Sequence, residues 1–233
     1  MNNPKYILSK QYPQKRVFVA RPFNQVGRAI CLQLAADGWV IGLSSTNEEQ
    51  LQEMCHEIDM AGGTAIGCLG DISKVEQYEA VSNKFFRDAG GIDLLINNTG
   101  IDENSILGDF SIEAWITLIA THQMAVVFGC HFFLPYMIQK KMGYVINIAC
   151  SADADSGAKA PYEMAKGAVL SISETIKTKF SESNIGITVA LPIYFKTKVN
   201  QNSQSQQLII DLDRPIEVWR ILQAAGEQKF CIY

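Results

Sequence analysis

The stretch RVFVARPFNQVGRAICLQLAADG, residues 16–38, changes its hydrophobic period partway along. Arg16-Val-Phe-Val-Ala20 is a short apolar run of the kind carried by a strand buried on both faces. From Gln25 to Asp37 the apolar residues Val26, Ile30, Leu34 and Ala35 recur at helical spacing instead, and Gly38 stands where a helix C-cap belongs. A buried strand feeding an amphipathic helix through a short turn is one unit of a parallel sheet.

The unit repeats. Val40-Ile-Gly-Leu43 reads as a second strand, followed by Asn47 as N-cap of a helix with Leu51, Met54, Cys55 and Ile58 on one side. Thr64 to Cys68 is a third strand, and Val75 to Ala89 the next helix. Leu94 to Ile96 and Tyr144 to Ile148 are further buried strands, separated by a helical stretch from about Ile112 to Lys140. A helix from about Ala160 to Phe180, a strand Ile187 to Leu191 and a short strand Lys229 to Tyr233 complete the series. Right-handed crossovers turn this order into a single doubly wound parallel sheet in a three-layer α/β/α domain, with ligands at the carboxyl ends of the strands. The domain is expected over residues 15–233, with residues 1–14 a flexible tail. The polar stretch Asn200 to Gln207 is expected as a flap over the crevice.

Charged residues make up 19% of the chain, below the ~25% usual for soluble domains, which points to surface buried in an oligomer. The net charge of −4 argues against nucleic acid and anionic membrane as partners. The longest nearly apolar run, Met124 to Ile138, falls short of the ~20 residues a membrane span needs. Six cysteines lie without metal-ligand spacing, mostly within apolar segments, as expected of reduced thiols in the cytoplasm. No metal site is expected.

Tyr162-Glu-Met-Ala-Lys166 carries the chemistry. Residues four apart share a helix face, and an ammonium near a phenol favours phenolate, bringing its pKa down from ~10. A phenol so tuned is a general acid/base for a carbonyl or an alcohol.

Taken with its surroundings, this pair resembles that of the short-chain dehydrogenase/reductase family, and the resemblance runs from about Arg16 to Tyr233. Gly27 closes the first turn, and Asp71-Ile72 follows the third strand, where the family contacts adenine. Asn97-Asn98-Thr99-Gly100 is similar to the family's NNAG, Leu134 to Met137 to a helix-end motif, and Pro192 with Thr197 to its PGxxxT. The resemblance implies a Rossmann-type fold and a nicotinamide cofactor. It also implies Tyr162 as acid/base, with Lys166 binding ribose and tuning the phenol.

The departures are local. The family's TGxxxGxG turn is here Ala20-Arg-Pro-Phe-Asn-Gln-Val-Gly27, so that Arg21 and Gln25 replace two of three glycines and Val26 precedes the third. Pro22 donates no amide and biases Arg21 towards extended backbone, while the Arg21 guanidinium could pair with a phosphate. Ser44, Ser45 and Thr46 end the second strand without the carboxylate that marks NAD use, so the cofactor implied is NADP(H). Cys150 stands where the family orients substrate with Ser, and Ser151 is one place on; either could hold the substrate oxygen. His122 occupies the place of an Asn that supports a water relay to the lysine.

Three readings follow. The first is an NADP(H)-linked carbonyl reductase or alcohol dehydrogenase. The second is a lyase or isomerase on the same fold that uses no cofactor, suggested by the lost glycines. The third is a non-catalytic subunit in a hetero-oligomer with an intact relative. A homodimer or homotetramer is expected, with the hetero-oligomer as its alternative, and the substrate is expected to be a small carbonyl or alcohol.

Overall fold

A computed structural model of the chain describes residues 4–98, 111–149, 159–180, 182–190, 194–195 and 209–210. Six strands form one parallel sheet: β1 (Arg16–Ala20), β2 (Val40–Ser45), β3 (Thr64–Leu69), β4 (Leu94–Asn98), β5 (Gly143–Ile148) and β6 (Ile185–Ala190). Their order is β3-β2-β1-β4-β5-β6, which makes the doubly wound, Rossmann-type architecture plain. Chain direction reverses its lateral progress between β1 and β4, and a crevice opens there at the carboxyl ends.

Strand alternation divides the core. Val17 and Val19 of β1 face one side of the sheet, with Ile30, Leu34, Trp39 and Ile58 of the segments around α2 (Gln25–Ala35) and α3 (Glu48–Met60). Phe18 and Ala20 face the other, with Phe85 of α4 (Val75–Ala89) and Phe133 of α6 (Ala125–Lys140). There the Phe18 ring lies 4.9 Å from Phe133 and 5.4 Å, edge-on, from Phe85. Asn47 caps α3 as expected, its side chain accepting from the Gln50 amide.

Residues 4–14 depart from the expectation of a loose tail. Residues Pro4–Gln11 form a helix, α1, and Leu8 and Tyr12 are both fully buried against the core around Trp39. Ser9 donates to Asp37, which also accepts from the Trp39 indole at 3.2 Å, and the Lys15 ammonium sits 3.7 Å away. Two apolar residues four apart docked the segment. They were too few for its short sequence to show a period.

The long helical stretch also has a feature the sequence does not reveal. Between α5 (Ile112–Leu118) and α6, residues Ile119–Met124 form a π-helical segment. The resulting helix Trp115–Lys140 is 26 residues long, so by length and composition it could cross a membrane, contrary to the count made on Met124 to Ile138 alone. Here it serves as a core helix: Ala125, Val126, Phe133, Leu134 and Met137 are buried against the sheet. The last helix, α7 (Lys159–Lys179), packs beside β6. Tyr194–Phe195 (β7) and Ile209–Ile210 (β8) pair in parallel at the two ends of the expected flap. The strand expected at Lys229 to Tyr233 and the flap expected at Asn200 to Gln207 lie outside the described residues.

Candidate active site

The first turn is held by a side chain from another strand. Asn98, the last residue of β4 and fully buried, donates from Nδ2 to the Arg21 carbonyl and to Asn24 Oδ1, both at 2.8 Å. Asn24 Oδ1 in turn accepts from the Gly27 amide at 2.8 Å, making Asn24 the N-cap of α2. A Cβ at Gly27 would stand 2.6 Å from Asn98 Nδ2 and 2.7 Å from Pro22 Cα, which is why this glycine alone had to stay. Arg21 is not extended as Pro22 would favour. Its φ of 54° keeps the left-handed turn that a glycine would otherwise make.

A cleft of about 430 Å³ lies beside this turn, at the carboxyl ends of β1, β2 and β3. Arg21, Phe23 and Asn24 line it on one side and Gly70, Asp71, Ile72 and Ser73 on the other. Ser44, Ser45, Thr46 and Gln50 lie between, and Thr117 and Thr121 reach it from the α5 end. Ser45 Oγ is engaged, accepting from the Asn47 amide at 2.9 Å. Ser44 Oγ is different: it is buried to 3% exposure with no partner, so the cleft wall holds an unused hydroxyl. Burial pushes the Asp71 carboxyl up. Hydrogen bonds from the side chain and backbone of Ser73, then the charges of Lys74 and Arg21, outweigh it and leave the group below its ordinary range.

A second polar chain runs through the buried layer. Asn97 Nδ2 donates to Asn147 Oδ1 at 2.8 Å, Asn147 Nδ2 to Ser173 Oγ at 2.8 Å, and Ser173 Oγ to the Val169 carbonyl at 2.7 Å. It ties β4 and β5 to one face of α7. Tyr162 and Lys166 stand one turn apart on that helix, and Tyr162, Lys166, Val169 and Ser173 fall at i, i+4, i+7 and i+11, one stripe of its surface. The side chains of Tyr162 and Lys166 lie outside the described set. His122 is buried, 6% exposed, in the π-helical segment that packs against α7.

Of the expected site residues, the structure brings Arg21, Thr46, Asp71 and Ile72 to one cleft, with Gln25, Val26 and Gly27 opening the helix beside it. Asn98 has a holding role that its expected place as a cofactor contact did not foresee. Thr99, Gly100, Cys150, Ser151, Pro192 and Thr197 lie outside the described residues. Asn24 could have been found, since an Asn three places before a helical glycine is a capping signal. Phe23, Thr117 and Thr121 carry no such mark.

The family model for short chain dehydrogenases matches residues 16–208. The 5-keto-D-gluconate 5-reductase of Escherichia coli is 25% identical over 189 residues, 80% of this chain and 74% of the relative. Gluconate 5-dehydrogenase of Gluconobacter oxydans is 27% identical over 198 residues, 84% of this chain and 77% of the relative. The structure of a gluconate 5-dehydrogenase from Burkholderia cenocepacia with NADP and tartrate has a TM-score of 0.70 at 26% identity, covering 80% of this chain and 74% of that one. A metagenomic short-chain oxidoreductase in complex with NADP shares the fold at a TM-score of 0.75 over 93% of both chains, at 23% identity.

Proposed function

The chain belongs to the short chain dehydrogenase family of oxidoreductases, and on that premise we propose that it is an NADP(H)-linked enzyme acting on a small carbonyl or alcohol substrate. The observation that carries this reading is the cleft beside the first turn, which Arg21 lines together with the hydroxyl-bearing end of β2, a strand end that carries no carboxylate. The unpartnered Ser44 hydroxyl suits a ribose, and the guanidinium of Arg21 suits a 2′-phosphate. A relative of known structure, the Burkholderia cenocepacia gluconate 5-dehydrogenase, was solved with NADP.

In this reading Arg21, Thr46, Asp71 and Ile72 border the adenosine half of the cofactor, with the α2 amino end at Gln25 to Gly27 beside its phosphates. Asn98 holds the turn, and Thr99, Gly100, Pro192 and Thr197 are the further cofactor contacts that the family pattern implies. The cofactor supplies or accepts a hydride when bound. Tyr162 moves the proton to or from the substrate oxygen, and the Lys166 ammonium keeps the phenol acidic enough to do so while binding the ribose. Ser151 or Cys150 holds the substrate oxygen, the hydroxyl being the stronger donor. His122 passes protons towards Lys166. The stripe from Tyr162 to Ser173, fixed to the sheet through Asn147, supports this orientation of α7.

The exposed side chains of Ile112, Ile116, Val127, Ile138 and Met164 on α5, α6 and α7 support assembly into a homodimer or homotetramer, which light scattering measures directly. Among the described residues Cys31, Cys55, Cys68 and Cys130 are free, which suits a reducing cytoplasm.

The test is thermal unfolding with and without cofactor. NADPH at 100 times its Kd should raise Tm by about 5–10 °C, with NADH doing less. Tyr162→Phe should keep that shift and lose turnover. No shift with either nucleotide would remove the reading.

A further inference from the structure

Among the described residues lining the cleft, Arg21 is the one cation and Asp71 the one anion. They come from the ends of β1 and β3, with β2 between them in the sheet, so their backbones are two strand spacings apart, about 10 Å. Neither can move far. The Arg21 backbone is pinned by Asn98 and followed by Pro22, which leaves only its side chain free to swing. The Asp71 carboxylate is fixed through Oδ1 by the Ser73 amide at 3.0 Å and the Ser73 hydroxyl at 2.6 Å. Between them lies the end of β2, with the unpartnered Ser44 hydroxyl. The two opposite charges thus face each other across the space assigned to the adenosine ribose.

We propose that Asp71 competes with the cofactor for Arg21, and so limits how strongly this enzyme prefers NADPH over NADH. The proposal rests on reading Arg21 as the phosphate contact. A nucleotide with a 2′-phosphate must hold the guanidinium against the pull of Asp71, whose ion-pair partner among the described residues is Lys74 at 3.7 Å, and it brings a second negative charge towards that carboxylate. A nucleotide with a 2′-hydroxyl does neither. The charge of Arg21 is already felt at Asp71, behind the hydrogen bonds from Ser73 and the charge of Lys74. An aspartate acting only on adenine behaves otherwise, because adenine is common to both nucleotides.

The experiment is a double-mutant cycle on the full chain, with NADPH and NADH titrated at one ionic strength against wild type, Asp71→Asn, Arg21→Ala and the double variant. Asparagine keeps an oxygen for Ser73, so the fold of the loop is preserved. Asp71→Asn should tighten NADPH about two- to fivefold, the range of an exposed ion pair, and leave NADH within about twofold. In the Arg21→Ala background the gain should vanish. Weaker binding of both nucleotides alike in Asp71→Asn overturns the proposal and leaves Arg21 as the phosphate contact. A gain that persists without Arg21 also overturns it, assigning the effect to Lys74. Equal affinity for the two nucleotides in wild type, unchanged by Arg21→Ala, removes the role of Arg21 itself and this proposal with it.

Discussion

Asn98 and Arg21, 77 residues apart in sequence, are joined by a 2.8 Å hydrogen bond from the Asn98 amide to the Arg21 carbonyl. The same amide group reaches Asn24 Oδ1, so one buried side chain at the end of β4 fixes the turn after β1. Both partners are acceptors, which dictates a substitution series. Asn98→Ala takes this donor from the Arg21 carbonyl, leaves Asn24 Oδ1 with the Gly27 amide alone, and should cost about 1–3 kcal/mol. Asn98→Asp sets a third acceptor against them and should cost more, at neutral pH, than the alanine. Urea unfolding of the three proteins checks the order; an aspartate milder than alanine would contradict it.

Arg21 pays for its place in backbone conformation, since a side chain at φ 54° is strained where glycine is not. Arg21→Gly should therefore move stability and affinity in opposite directions. Stability should rise by up to about 1 kcal/mol, the strain relieved exceeding the entropy glycine adds to the unfolded chain. NADPH should bind roughly ten- to hundredfold more weakly, the worth of a lost charge-assisted contact. Paired urea and calorimetric titrations read both, and a stability loss would show the left-handed turn to be free of strain.

The amino-terminal helix offers a direct contrast with a loose tail. Leu8 is fully buried, so Leu8→Ala should cost about 2–4 kcal/mol, seen as a lower urea midpoint at unchanged slope. Ser9→Ala removes one hydrogen bond to Asp37 and should cost about 0.5–1.5 kcal/mol. A tail would register neither.

Burial also sorts the thiols. It drives Cys31 well above its ordinary range and pushes Cys68 and Cys130 up to about 12 each, so at pH 8 all three stay protonated. Cys55 is only half buried; burial and then Asp59 raise it, against Lys84. Of these four, iodoacetamide at pH 8 should label Cys55 first in the native protein and reach Cys31, Cys68 and Cys130 only in denaturant, as read by peptide mass mapping. Early labelling of Cys31 would place it nearer the surface than its burial says.

What the sequence concealed follows a physical pattern. The strand centres were plain, because Val17 to Val19 or Leu94 to Ile96 are apolar on both faces. Their carboxyl ends were drawn short. Ser44 and Ser45 continue β2, and Asn97 and Asn98 continue β4, although all four have the chemistry of loops. The ladder needs only their backbones, which leaves polar side chains at the strand ends where ligands sit. The π-helical segment at Ile119–Met124 had no signature, since an i→i+5 bond asks for no residue type. The spacing of Tyr162 and Lys166 on one face of a helix was legible; the Asn98 bracket was not, because it joins residues brought together only by the order of β1 and β4.

The amide–hydroxyl chain from Asn97 through Asn147 to Ser173 has a bearing on how this scaffold tolerates insertion. It keys the rotation of α7 to the sheet from the far end of the helix, well downstream of Tyr162. Segments spliced between β5 and α7 would then leave the aim of the helix face that carries Tyr162 and Lys166 unchanged. A single residue added between Lys166 and Ser173 would instead turn that pair by about 100°. The connection ahead of α7 is the place to insert, and the middle of α7 is the place to leave alone.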